Sequence, residues 1–297
     1  MSSLTAIKRS SYLAASAIAA VFFSNAAQEK AGYEAMTPEA RFRSLSREFN
    51  RIAQAWRQAE ADERTALLAR LEVLPLQVLE LTRAHPQDPF VLDALTDVIS
   101  LEYWINAYTS HAGWGEESPQ AAAIAILLRE HLNSDKLGAA CKRAQFGFRQ
   151  ECEDFLRSVV EKSPHRDVRG LACLRLAEFL AIRHETLALL EDQPDLASRY
   201  ELVFGKEYMR RLRAQDRAKA MQEVEALYER AGEQFGDVTN PDSGTVGERV
   251  KTVLYEIRQL AIGREAPDIT GQDQDGVPFK LSDYRGKVVL VYFWSEY

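Results

Sequence analysis

Seven consecutive residues near the C-terminal end, Val288-Val289-Leu290-Val291-Tyr292-Phe293-Trp294, constrain the fold more than any other stretch of the chain. All are aliphatic or aromatic. An unbroken run of this kind suits a strand buried on both faces, as at the centre of an α/β sheet, rather than one with a solvated side. The residues before it read as an extended segment from Gly263, a turn, a short strand and a Gly286-Lys287 turn. A buried central strand needs helices and further strands to cover it. Only Ser295, Glu296 and Tyr297 follow.

Everything from Arg41 to Ile262 carries a different period. Phe42, Leu45, Phe49, Ile52 and Trp56 step by three or four and fall on one helical stripe. Leu67, Leu68, Leu71 and Leu74 predict a second helix, bent or broken at Pro75 and continued by Val78, Leu79 and Leu81. After the stop at His85–Pro89, the residues Phe90, Val91, Leu95, Val98 and Ile99 form the buried side of a third. Gly113 to Ser118 reads as a loop, and Pro119 as a helix start ahead of Ile124, Leu127 and Leu128. Lys142 to Lys162 repeats the pattern with Phe148, Cys152, Phe155, Leu156 and Val159, and Ser163-Pro164 opens another helix over Val168–Leu190.

A long charged helix or helix pair is predicted over Ala197–Gln234, and a last helix over Val246–Ile262. The turn formers Asn240 to Gly244 make Asp237–Gly247 the most linker-like stretch. The helix starts at His85-Pro86, Ser118-Pro119 and Ser163-Pro164 lie 33 and 45 residues apart. That is the range of helical-hairpin repeats, though irregular. The expected architecture is mainly α: an antiparallel helical-hairpin array, tetratricopeptide-like in shape, over 28–262, then the β start of an α/β domain over 263–297. Such an array offers a concave surface to a protein partner.

At the other end, Met1 to Ala27 contains no acid, carries Lys8 and Arg9, and then runs through the apolar stretch Tyr12–Phe23 to the small residues Ser24, Ala26 and Ala27. This layout predicts a secretory signal peptide over 1–27, cleaved after Ala26 or Ala27, and an exported protein, periplasmic or extracellular. The stretch is shorter than the ~20 residues a membrane span needs, so no stable span is expected after cleavage. A net charge of −7 makes nucleic acid and anionic membrane surfaces poor partners. The basic run Arg210-Arg211-Leu212-Arg213 is interleaved with Glu207, Asp216 and Glu223, which is a solvated helix face rather than a binding patch.

The helical region shows no catalytic constellation. His85, His111, His131, His165 and His184 are scattered without metal-type spacing, so no metal site is expected. Phosphate-cradling glycine loops and the G-x-S-x-G elbow are missing from the sequence. Of the cysteines, Cys141 and Cys152 are too far apart for a disulfide if they share one straight helix, at about 16 Å. Cys152 and Cys173, across the Ser163-Pro164 turn, are the pair a disulfide would join in an oxidising compartment. The bland reading of each is a small buried apolar residue.

The terminal segment is where chemistry is signposted. Gly263, Ala266-Pro267-Asp268, Asp275-Gly276, Leu281-Ser282-Asp283, Gly286-Lys287-Val288-Val289 and Phe293-Trp294 lie at the spacing of the start of a thioredoxin-like domain. The segment resembles the TlpA/ResA and AhpC/TSA (redoxin) superfamily. The resemblance implies a thiol–disulfide oxidoreductase, acting on protein thiols and disulfides and needing no bound cofactor. It also implies that Trp294 and Tyr297 flank the redox site, with Tyr297 at the aromatic position just before the first redox cysteine. Phe293 and Trp294 read equally well as core residues. In this family C-x-x-C follows the strand, and in this sequence that position lies past Tyr297. The expectation is therefore a chain truncated before its redox pair, with no catalytic residue of its own. The runner-up expectations are a thiol peroxidase acting on peroxide and a non-catalytic helical partner-binding protein.

Overall fold

The computed structural model describes residues 33, 35–108, 118–242, 244–261, 263–273, 275–292 and 295, apart from the side chains of 107 and 108. The signal-peptide expectation for 1–27 and all but the last residue of the loop expected over Gly113–Ser118 lie outside these residues. Among them are eleven α-helices and one two-stranded sheet, so the chain is mainly α.

Helix α1 (Pro38–Gln58) starts where Thr37 caps it, the side chain accepting from the Ala40 amide, with Pro38 in the first turn. Its stripe of Phe42, Leu45, Phe49 and Ile52 is buried as the spacing demands. Helix α2 (Ala61–Ala84) is not broken at Pro75 but runs through it as one element. Pro75 forfeits one backbone hydrogen bond. Leu71, Leu74, Val78 and Leu79 on either side are nearly fully buried, and their packing holds the helix together across the gap.

Helix α3 (Val91–Tyr108) buries Val91, Leu95, Val98 and Ile99. It also buries a carboxylate, Glu102, which accepts from Ser118 Oγ at 2.8 Å and from the Gln120 amide at 2.8 Å. Those donors are the N-cap and first turn of α4 (Pro119–Glu130), so a side chain of one helix caps the next. Burial pushes the Glu102 carboxyl above its ordinary value, against the hydrogen bonds that pull it down.

The single helix implied by Lys142–Lys162 is two: α5 (Gly138–Ala144) and α6 (Gln150–Lys162), with a turn between them. The reason is Gly147. A Cβ there would stand 2.3 Å from Cys152 Sγ. Only glycine lets the chain pass so close, and its carbonyl then accepts from the Arg183 guanidinium. Helix α7 (Arg166–Asp192) is the longest, and a turn at Pro194–Leu196 leads to α8 (Ala197–Phe204), α9 (Lys206–Ala214) and α10 (Arg217–Phe235). The expected helix or helix pair over 197–234 is therefore three helices. Gly205, at φ 85°, breaks the first junction, and the Asp216 cap on Lys219 restarts the chain at the second.

Between α10 and α11 (Val246–Gln259) the stretch expected to be a linker is a tight connection. Thr239 bridges to Thr245, Asn240 is 3% exposed, and Thr245 and Glu248 form a capping box. Arg175 of α7 anchors it, donating to Asn240 Oδ1 at 2.8 Å and Asp242 at 2.6 Å while pairing with Glu178 at 2.7 Å. Turn-forming composition marks a change of direction. It does not distinguish a free linker from one tied down by a buried cation.

Successive helices pack on one another, α1 on α2, α2 on α3, α3 on α4, α6 on α7, and α10 on both α7 and α11. One continuous core runs from Phe42 to Val253. A smaller core of Leu190, Val203, Phe204, Tyr208 and Met209 joins α8 and α9 to the end of α7. Here the Arg183 guanidinium lies between the Phe179 and Phe204 rings, 3.9 and 4.7 Å from their centroids.

Beyond Gly263 the character changes. Strands β1 (Thr270–Gln272) and β2 (Pro278–Lys280) form an antiparallel hairpin in the register Thr270↔Lys280, Gly271↔Phe279, Gln272↔Pro278. None of the described residues from 263 to 292 is buried. The apolar run does not form the expected strand over its described part, Val288–Tyr292, and Phe293 and Trp294 lie outside the described residues. Val288, Leu290 and Tyr292 are 103, 92 and 80% exposed, against 43 and 44% for Val289 and Val291. The two-residue alternation of an extended chain is there, but a strand is defined by its ladder, and no neighbouring strand among the described residues supplies one.

Candidate functional site

The terminal segment is shaped by hydrogen bonds made over short distances in sequence. Asp268 accepts twice from Ser282, from the amide and the hydroxyl, both at 2.8 Å. Next to it the Leu281 amide donates to the Ile269 carbonyl at 2.8 Å. These contacts close the two ends of the hairpin. Its turn is held by Asp273, whose Oδ1 accepts from the Asp275 and Val277 amides at 2.9 Å, with Gly276 at φ 77° in the left-handed region. Asp283 accepts from the Lys280 amide at 2.8 Å and starts the short 3-10 turn Leu281–Tyr284. The two hydrogen bonds from Ser282 hold the Asp268 carboxyl below its ordinary value.

Several of the residues that carry the sequence pattern, among them Asp268, Gly276, Ser282 and Asp283, thus set this local geometry. An open hollow of about 430 Å³ lies between Glu265, Ala266, Asp268, Leu281, Ser282 and Arg285, with Arg285 paired to Glu265 at 2.7 Å. It contains no thiol or imidazole, and its one hydroxyl donates to Asp268. As described, the segment is a scaffold for a site rather than a site.

Residues 262–297 match the AhpC/TSA family. This redoxin segment begins where α11 ends. No curated protein and no solved structure matches the chain significantly. Trp294 and Tyr297, the residues expected to flank the redox centre, lie outside the described residues.

The redoxin segment holds no cysteine, so the sulfur chemistry of this chain would have to come from Cys141, Cys152 and Cys173 in the helices. All three are buried free thiols. The disulfide considered for Cys152 and Cys173 is not formed in the structure. The Cys152 thiol donates to Gln120 Oε1 at 3.1 Å, and the Cys173 thiol to the Leu227 carbonyl at 3.5 Å. Burial pushes Cys141 and Cys152 up to about 12 and Cys173 up to about 11. The thiolate is the nucleophile, and at neutral pH these groups keep their protons. They are packing residues, which was the bland reading of each.

Among the described residues no group of three His, Cys, Asp or Glu side chains could hold a metal ion. No described helix is long and apolar enough to cross a membrane. Two buried arginines, Arg175 and Arg183, were missed by sequence reasoning. Each falls among the apolar residues of α7, and a cation in that position was the available signal.

Proposed function

We propose that this chain is the greater part of an exported thiol-redox protein, in which a helical array carries polypeptide partners to a thioredoxin-like domain that 262–297 begin. The observation that supports this most is the AhpC/TSA match over 262–297, on residues whose hydrogen bonds build the hairpin leading into the apolar run. The redox pair of the natural product belongs just after Tyr297, at the N-terminus of the helix that follows the central strand in such domains. There the helix dipole and free amides lower a cysteine pKa and stabilise its thiolate. That thiolate attacks one sulfur of a partner disulfide, releasing the other as a thiolate that takes up a proton. The second cysteine then attacks the mixed disulfide, so the enzyme pair is oxidised and the partner reduced by two electrons. Trp294 and Tyr297 would wall the approach and do no chemistry themselves. Export rests on the layout of residues 1–27.

Reading the transcript past Tyr297 tests this directly. C-x-x-C within the next few codons supports the exchanger, and a lone cysteine after Thr or Pro supports peroxide reduction. A stop codon leaves the helical array as a binding protein. An insulin-reduction assay on the 297-residue chain checks the same point. The expected result is no turnover above background, and turnover would contradict the placement of the chemistry.

A further inference from the structure

Helices α7, α10 and α11 enclose a groove of about 580 Å³ that opens to solvent next to the start of the redoxin segment, with Ala261 and Arg264 at its mouth. Its floor is apolar: Ile182 of α7, Met221 of α10, and Val253 and Ile257 of α11. Val253 and Ile257 are one turn apart, the spacing that receives the ridge of an incoming helix. Met221 adds an adaptable surface. From Arg249 to Ile257 the wall is about 12 Å long, or two to three helical turns.

The charge along the groove is uneven. At the closed end Glu178 is neutralised by Arg175 at 2.7 Å and Arg249 at 3.0 Å. At the open end Glu225 is held by Arg258 at 3.3 Å, while Glu185 and Glu256 form no ion pair among the described residues. Both lie close enough to the buried Tyr228 hydroxyl to help raise its proton affinity, after burial and the Glu178 charge. Glu185 and Glu256, neither in an ion pair among the described residues, therefore rim an apolar slot on the side nearest the redoxin segment, outnumbering Arg264, the cation that lines the same end.

We infer that this groove is a docking site for an amphipathic helical segment of a partner polypeptide, its apolar face on Ile182, Met221 and Ile257 and its lysines or arginines on Glu185 and Glu256. The inference rests on the proposed reading in one respect, that the docked chain is one presented for thiol exchange. Its test does not involve a redox cysteine, so the two can fail separately.

The experiment uses the 297-residue chain and fluorescence anisotropy of a labelled leucine–lysine amphipathic peptide of about four turns, with a leucine–glutamate peptide as its counterpart. Binding of the lysine peptide is expected, with little binding of the glutamate peptide. Glu185→Lys with Glu256→Lys should weaken it about tenfold. Glu63→Lys with Glu161→Lys, exposed on α2 and α6 and matched in net charge, should change it less than about twofold. Equal losses in the two variants would mean a non-specific charge effect and overturn the proposal. So would equal binding of both peptides, no binding of the lysine peptide, or self-association of the chain abolished by the groove variant alone, which would make a second copy the occupant.

Discussion

The helical array and the redoxin segment are built from residues of similar quality, yet one is a packed body and the other a bare outline. In the array most of the large apolar side chains of the described helices pack against a neighbouring helix. Phe155, Leu156 and Val159 of α6 are fully buried against α7, and α7 in turn against α10. In the segment the turns are fully specified, with Asp268 on Ser282, Asp273 on its own turn and Asp283 on Lys280. Yet Val288, Leu290 and Tyr292 stand almost wholly in solvent. The comparison separates two contributions. Local hydrogen bonds choose the path of a chain, but burial of apolar surface against something else is what makes it stable.

The sharpest way to break the array is to remove the cation beneath its tightest connection. Arg175→Ala removes the cation that Glu178, Asn240 and Asp242 share, leaving Glu178 with Arg249 and Asp242 with Lys142. The expected loss is about 3 kcal/mol in urea unfolding followed by far-UV circular dichroism. A loss below about 1 kcal/mol would mean that the α10–α11 connection is held by its capping box instead.

Next in size is Gly147→Ala, which puts a methyl group into the space of the Cys152 thiol and should cost about 1–3 kcal/mol by the same measurement. A thiol titration asks whether the array is as closed as the geometry says. Native protein at pH 8 should show no fast-reacting thiol, because burial keeps Cys141 and Cys152 near 12 and Cys173 near 11. Unfolded, unreduced protein should show all three. Finding only one free thiol there would establish a disulfide.

The smallest effects belong to the segment. Because the Asp268 carboxyl lies below its ordinary value in the folded hairpin, its contribution is present above the unfolded pKa of about 4 and fades as pH falls through the folded one. The Ser282 amide resonance should report this below pH 4. A Ser282 resonance that does not move below pH 4 would mean that Asp268 does not hold it in solution.

Much of the array is legible in the sequence because helical period and burial coincide there. Phe42, Leu45, Phe49 and Ile52 could be read as one buried stripe without coordinates, and they are. What was not legible depends on contacts between residues far apart. Pro75 looks like a break until Leu71 and Val78 are seen packed on both sides. Gly147 is a weak breaker in isolation, and it becomes a turn because Cys152 and Arg183 close on it. Asn240 to Gly244 has the composition of a linker, and a buried Arg175 from another helix makes it a fixed corner. The apolar run fails in the opposite direction. Its composition describes a strand in the interior of a sheet, and the described chain offers a hairpin of two short strands and no interior.

Hydrogen exchange read by mass spectrometry on the 297-residue chain tests the contrast most directly. Amides of α7 and α10 should stay protected for hours, while those of residues 288–292 exchange at the rate of an unstructured peptide within seconds. Protection of 288–292 comparable to that of α10 would contradict the account, since those residues would then have found the sheet or surface that the structure leaves them without.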